Sequence, residues 1–200
     1  MKCLNLICLS VLCVFSFQTY GADHHGAHPA TKNEVQKPVS EDSLYNADMD
    51  LLDAEGRVVK LSSLRGQPVV ISMGYTGCAY ACPLILSKMK DVEGELQKQK
   101  SPLKPHFVLV SFDFENDTPQ ALKAYAEKRK LGKDWSLFTA KSDKSPREIA
   151  NLLGIKYKKM DGGGFDHSFI ITVLDAEGII KGQTVGADKD PKDLIKFLKN

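Results

Sequence analysis

Apolar residues fall in short separated runs along this chain, and their spacing changes from one run to the next. Pro68 to Met73 reads PVVISM and His106 to Asp113 reads HFVLVSFD; both runs are short and apolar, which predicts buried strands. Between them Leu84, Ile85, Met89, Val92 and Leu96 recur at helical spacing within Pro83 to Gln99. Proline suits that first turn, because its missing N–H would be unpaired there. Asp117-Thr118-Pro119 predicts the start of a second helix reaching Lys130, followed by an extended segment from Trp135 to Ala140. Ser145-Pro146-Arg147-Glu148 has the form of a capping box opening a helix to Leu153. Met49 to Leu52 and Arg57 to Lys60 flank the turn-forming Asp53-Ala54-Glu55-Gly56, and Ser168 to Leu174 and Ile179 to Gln183 flank Asp175-Ala176-Glu177-Gly178, predicting two hairpins. Ile155 to Lys159 pairs locally, Asp161 to Gly164 forms a flexible loop, and a last helix begins at Pro191. Strands alternating with helices, then a hairpin and a closing helix, predict a single α/β domain with a thioredoxin-like mixed sheet flanked by helices.

The amino-terminal region has a different pattern. Lys2 precedes a mostly apolar run from Leu4 to Phe17, with small residues around Thr19 to Ala22, which reads as a secretory leader over residues 1–21 cut after Gly21. The run is shorter than the ~20 residues a membrane span needs. A retained anchor, holding the protein at the inner membrane and facing the periplasm, is the alternative to a cleaved, periplasmic form. Residues 22–42 are polar, carry His24, His25 and His28 and lack apolar periodicity, so they predict a disordered tail ahead of a folded domain spanning 43–200. The formal net charge is +2, from 27 basic and 25 acidic residues, and the basic residues form no aromatic-interleaved stripe. Nucleic acid is therefore not an expected partner.

Cys3, Cys8 and Cys13 lie in the leader, which leaves Cys78 and Cys82 as the cysteines of the mature chain. In an oxidising compartment two such thiols close a disulfide, bind a metal, or are kept reduced by a partner. They bracket the turn from an apolar strand into a helix, where unpaired N–H groups favour thiolate, the form that ligates metals and attacks disulfides. In regular helix a spacing of four would separate the Cβ atoms by about 5–6 Å, too wide for a disulfide, so Cys78 is expected in the loop ahead of the helix. Gly74 and Gly77 are expected to give that loop its freedom. Two sulfurs with the imidazole of His167 suit a trigonal Cu(I) site and can also hold Cu(II), whereas structural zinc requires a fourth ligand that is not evident. Asp166 is expected to orient the imidazole, and Gly162-Gly163-Gly164 to serve as its hinge. His106 is read as a surface or edge residue.

Other readings of the pair are a static structural disulfide and a thiol-disulfide reductase in which one cysteine attacks and the other resolves. Thr76 before Cys78 supplies only a fragment of a peroxidatic loop, and there is no C-x-x-C-H for haem attachment. If cleavage follows Gly21, the mature chain begins Ala22-Asp23-His24, whose amine, two backbone nitrogens and imidazole form a square-planar set suited to a second Cu(II) site, with His25 and His28 as helpers.

GYTGCAYACP, SFDFENDTPQALKAYAEKRKL and FDHSFIITVLDAEG, in this order and at these separations, resemble the Sco/SenC family of copper-delivery proteins, over roughly Leu44 to Asn200. The resemblance implies a thioredoxin-like fold and copper ligation by Cys78, Cys82 and His167. It also implies a cuproprotein recipient, the copper-bearing subunit of cytochrome c oxidase with its binuclear copper centre. Ala79 and Tyr80 stand where the family often has Pro and Asp, and Phe114 where it often has Pro; neither departure removes a ligand.

Overall fold

The structure, a computed structural model, describes residues 40–79 and 81–199. The leader (1–21) and the tail as far as residue 39, with Ala22, Asp23, His24, His25 and His28, lie outside the described residues. The last three residues assigned to the tail, 40–42, enter a turn in which Ser43 N–H donates to Ser40 O and the Asn46 amide donates to Ser40 O and Glu41 O.

Five strands make the central sheet: β3 (Val69–Gly74), β4 (His106–Ser111), β5 (Trp135–Phe138), β8 (Ile170–Leu174) and β9 (Ile180–Val185), in the order β5-β4-β3-β8-β9. β3, β4 and β5 run parallel, while β8 is antiparallel to both β3 and β9. The crossovers are helices α1 (Ala81–Lys98) and α2 (Pro119–Arg129); α3 (Lys144–Leu152) follows β5 and α4 (Pro191–Leu198) closes the chain. The small hairpin β1 (Leu51–Leu52) and β2 (Val58–Val59) bridges to Thr139 beyond the β5 edge. A second hairpin, β6 (Tyr157–Lys159) with β7 (Phe165–His167), stands apart from the sheet.

Strand alternation divides the interior into two layers. Val69, Ile71, Met73, Val108 and Val110 point to the side covered by Ile149 and Leu153 and by the 3₁₀ turns Leu44–Asn46 and Leu61–Leu64. Val70, Phe107 and Leu109 point to the opposite side, against Ile85, Met89 and Val92 of α1, Leu122 of α2 and Leu194 of α4. Burial on both faces is why β3 reads as a near-continuous apolar run, broken only by Ser72. This is the expected mixed α/β arrangement.

Several expectations shift. α1 begins at Ala81, two residues ahead of Pro83. α3 begins at Lys144 behind Asp143, and Ser145 is not its cap: the Ser145 hydroxyl donates to Asp50 O 3.0 Å away. The segment before Leu174 divides into β7 and β8, so His167 ends one strand ahead of the next. His106 is not an edge residue. β4 lies inside the sheet, where His106 pairs with Val69 and its Nε2 meets Ser136 Oγ at 2.8 Å, and burial lowers its pKa.

Candidate metal centre

Sheet direction brings the site together. β3 delivers the loop 75–79 and Cys82 at its carboxyl end, and β8 runs antiparallel beside it with Ile171 opposite Ser72. The residues just ahead of Ile170 therefore arrive where β3 ends. This juxtaposition places His167 against the cysteines.

Cys78, Cys82 and His167 offer ligand atoms that all lie within 4.8 Å of one another. Cys82 Sγ is 3.5 Å from His167 Nε2. Both cysteines are thiols rather than a disulfide. Metal–ligand bonds of roughly 2.0–2.3 Å would set three trigonal donors about 3.8 Å apart, so the observed set needs only a small contraction to hold an ion. Among the described residues no fourth His, Cys, Asp or Glu joins this cluster.

Each donor has a structural support. Cys78 lies in the loop ahead of α1, as expected, and its sulfur accepts the Cys82 N–H at 3.4 Å. Cys82, in the first turn of α1, is fully buried, and its sulfur accepts the Tyr75 N–H at 3.3 Å. The helix start does not activate it as expected: burial dominates and pushes the Cys82 thiol up to about 12, with Cys78 and Asp117 adding to the rise against the opposing Tyr75 N–H. Gly74 contributes space rather than conformational freedom. Its φ is not positive, and a Cβ there would lie 3.0 Å from Cys82 Sγ.

His167 is half-buried, tilted against Phe112 with ring centroids 5.2 Å apart. Its Nδ1 lies 3.1 Å from Ser168 O, so the hydrogen-bond network assigns the proton to Nδ1 and leaves the Nε2 lone pair facing the sulfurs. The backbone carbonyl thus takes the orienting role expected of Asp166, which is exposed and sits opposite Lys158 in the hairpin. Gly163 and Gly164, both at positive φ, close the β6–β7 turn with bonds between Met160 and the glycines.

Asp117 has a larger part than a helix start. It is 1% exposed, and its carboxylate accepts from Thr76 N at 2.9 Å, from the Thr76 hydroxyl and from the Ser111 hydroxyl. It therefore ties the thiol loop to the ends of β4 and α2. The sequence carried a signal for this, an acid directly ahead of Thr118-Pro119, but the partner across the fold is not readable from spacing. Thr76 is committed to this contact rather than to chemistry of its own.

The family model described as SCO1/SenC matches residues 37–200. An SCO2-like protein of Rickettsia prowazekii is 34% identical over 157 residues, covering 76% of this chain and 74% of its own. ScoI of Arabidopsis thaliana, solved with copper bound, superposes with a TM-score of 0.67 at 22% identity, over 76% of this chain and 94% of that one. BsSco, described as a member of the Sco family of cytochrome c oxidase assembly proteins, superposes with a TM-score of 0.63 at 24% identity, over 76% and 92% of the two chains. At these identities the solved structures speak for the thioredoxin-like fold, and the family model and the sequence relative speak for descent: this chain belongs to the SCO1/SenC family.

Proposed function

We propose that this protein is an exported copper carrier that holds one copper ion through Cys78, Cys82 and His167 and passes it to a cuproprotein. The observation that carries the reading is the convergence of two thiols and one imidazole within 4.8 Å. Two soft sulfurs and an imidazole suit copper in either oxidation state, and copper-bound relatives of this fold support the choice. The recipient proposed is the copper-bearing subunit of cytochrome c oxidase, supported by the description of BsSco. Export to the periplasm rests on the leader; among the described residues no helix is long and apolar enough to cross a membrane.

Loading displaces the proton of buried Cys82, because a thiolate is the ligating form. His167 sits on the small β6–β7 hairpin rather than on the central sheet, which makes it the donor freest to yield during ligand exchange. Anaerobic Cu(I) titration of the reduced protein against a competing chelator tests the reading. Tight one-to-one binding, weakened by each of Cys78→Ser, Cys82→Ser and His167→Ala, is expected; binding indifferent to His167 would refute the three-donor site.

A second reading, a thiol-disulfide reductase that keeps the recipient's cysteines reduced, is favoured by the contrast between half-buried Cys78 and buried Cys82. Cys78 thiolate would attack a partner disulfide and release one partner thiolate. Cys82 would then resolve the mixed disulfide, leaving a Cys78–Cys82 disulfide and a partner reduced by two electrons. His167→Ala spares this turnover while abolishing tight copper binding, which separates the two activities.

A further inference from the structure

One side chain touches both halves of the donor set. Tyr75 is the first residue after β3, and its backbone engages the thiols directly: its N–H donates to Cys82 Sγ and its carbonyl accepts the Cys78 N–H at 3.4 Å. Its side chain bears on both halves, with the phenol hydroxyl hydrogen-bonded to the Cys78 side chain and the ring extending to the hairpin. The phenol oxygen accepts the Phe165 N–H at 3.4 Å, two residues before His167, and the ring packs edge-on against Phe165 and tilted against Phe112, with centroids 5.2 Å and 5.5 Å away. Gly164 completes the fit, since a Cβ there would stand 2.9 Å from the phenol oxygen.

The hairpin has few other ties to the thiol loop. β6 and β7 form their own two-stranded sheet outside the central five, so its position is set by side chains and by its junctions rather than by a continuous ladder. Phe112 contributes packing, against Tyr157 at 4.8 Å and Phe165 at 5.0 Å, but its apolar ring permits sliding. The Tyr75 hydroxyl is the directional contact.

We propose that Tyr75 is a positioning residue: its phenol latches the hairpin that carries His167 onto the loop that carries the cysteines, so that the imidazole meets the two sulfurs as one donor set. This rests on the three-donor reading of the site. Tyr75 acts through His167 and is not itself a ligand. Beyond what its contact with Cys78 contributes, its effect on copper binding must therefore depend on the imidazole.

A double-mutant cycle in Cu(I) affinity tests that coupling. Tyr75→Phe keeps the ring and its aromatic contacts but deletes the hydroxyl, and it is expected to weaken copper binding about three- to fivefold, the scale of one neutral hydrogen bond. In the His167→Ala background, where only the contact with Cys78 remains, the same substitution should cost less than in wild type by more than about twofold, beyond the usual error of additivity. Amide hydrogen exchange of Phe165 in the copper-free protein provides an independent readout, and it should accelerate in Tyr75→Phe while the amides of β3 and β4 stay protected. Gly164→Ala presses a methyl group against the phenol oxygen; it should weaken binding, and adding Tyr75→Phe should recover part of the loss. Equal losses for Tyr75→Phe in both backgrounds would show action on the sulfurs instead and overturn the proposal, as would unchanged affinity or unchanged Phe165 exchange. If His167→Ala leaves copper binding intact, the three-donor reading falls and this inference falls with it. Failure of the latch alone is recognised by a damaging His167→Ala beside an inert Tyr75→Phe.

Discussion

Asp117→Ala should loosen the thiol loop and lower the stability of the whole domain. The carboxylate is almost fully buried and accepts three hydrogen bonds, two from Thr76 and one from Ser111. Bonds to a charged group contribute roughly 1.5–3 kcal/mol each, so the gross loss lies near 4.5–9 kcal/mol. Two effects reduce it. The hydrogen bonds to Asp117 come from an amide and two hydroxyls rather than from a cation, so the native state already bears a desolvation cost of several kcal/mol that the alanine removes. The Thr76 and Ser111 hydroxyls can also rotate toward other acceptors, which the Thr76 N–H cannot do. The net destabilisation expected is about 2–4 kcal/mol, in the upper range for a point substitution. For a domain of this size that lowers the melting temperature by roughly 5–15 °C. Thermal unfolding of the copper-free protein followed by circular dichroism measures the change, and Cu(I) competition well below both transitions measures the effect on Cys78, two residues from Thr76. Asp117→Asn should fall between, because its amide oxygen can still accept from the Thr76 N–H. A melting temperature for Asp117→Ala within about 2 °C of wild type, together with unchanged copper affinity, would refute this account of the loop.

Two further outcomes follow from the site and the tail. Because burial holds the Cys82 thiol up near 12, copper must displace its proton throughout the neutral range, so apparent Cu(I) affinity should rise at least about tenfold per pH unit between about pH 6 and 8, after correction for the chelator; a flat profile would contradict a buried protonated thiol. If the mature chain begins at Ala22, a second equivalent of Cu(II) should bind with the visible spectrum of a square-planar nitrogen site, and His24→Ala should abolish that band while leaving the thiolate-to-copper transition unchanged; mass spectrometry showing an intact leader would remove the amine this depends on.

Much of the architecture was legible in the order of residues because local periodicity reports burial directly. The near-continuous apolar run at β3 and the helical spacing from Ile85 to Leu96 each have one geometry that buries them, and the structure shows both. The cysteine motif was also informative, since closing a disulfide across that spacing requires Cys78 ahead of the helix and Pro83 marks Cys82 as its start, and the structure has both. Local chemistry misled where a tertiary partner outbid it. Ser145 had the form of a cap but bonds Asp50 O, and Asp166 had the right neighbourhood to orient His167 but is exposed while Ser168 O takes the contact.

The sequence by itself determined the candidate donors, the strand-to-helix setting of the cysteines and the family, because those depend on residue type and short spacing. Tertiary structure decided what those residues meet. The antiparallel placement of β8 against β3 brings His167 within 3.5 Å of Cys82, burial raises the Cys82 thiol where the helix start alone would lower it, and Asp117 and Tyr75 secure the two halves of the site from elements distant in sequence. Sequence encodes periodicity along one dimension, whereas a donor set, its dielectric and its supports are properties of chain segments that only the folded sheet makes neighbours.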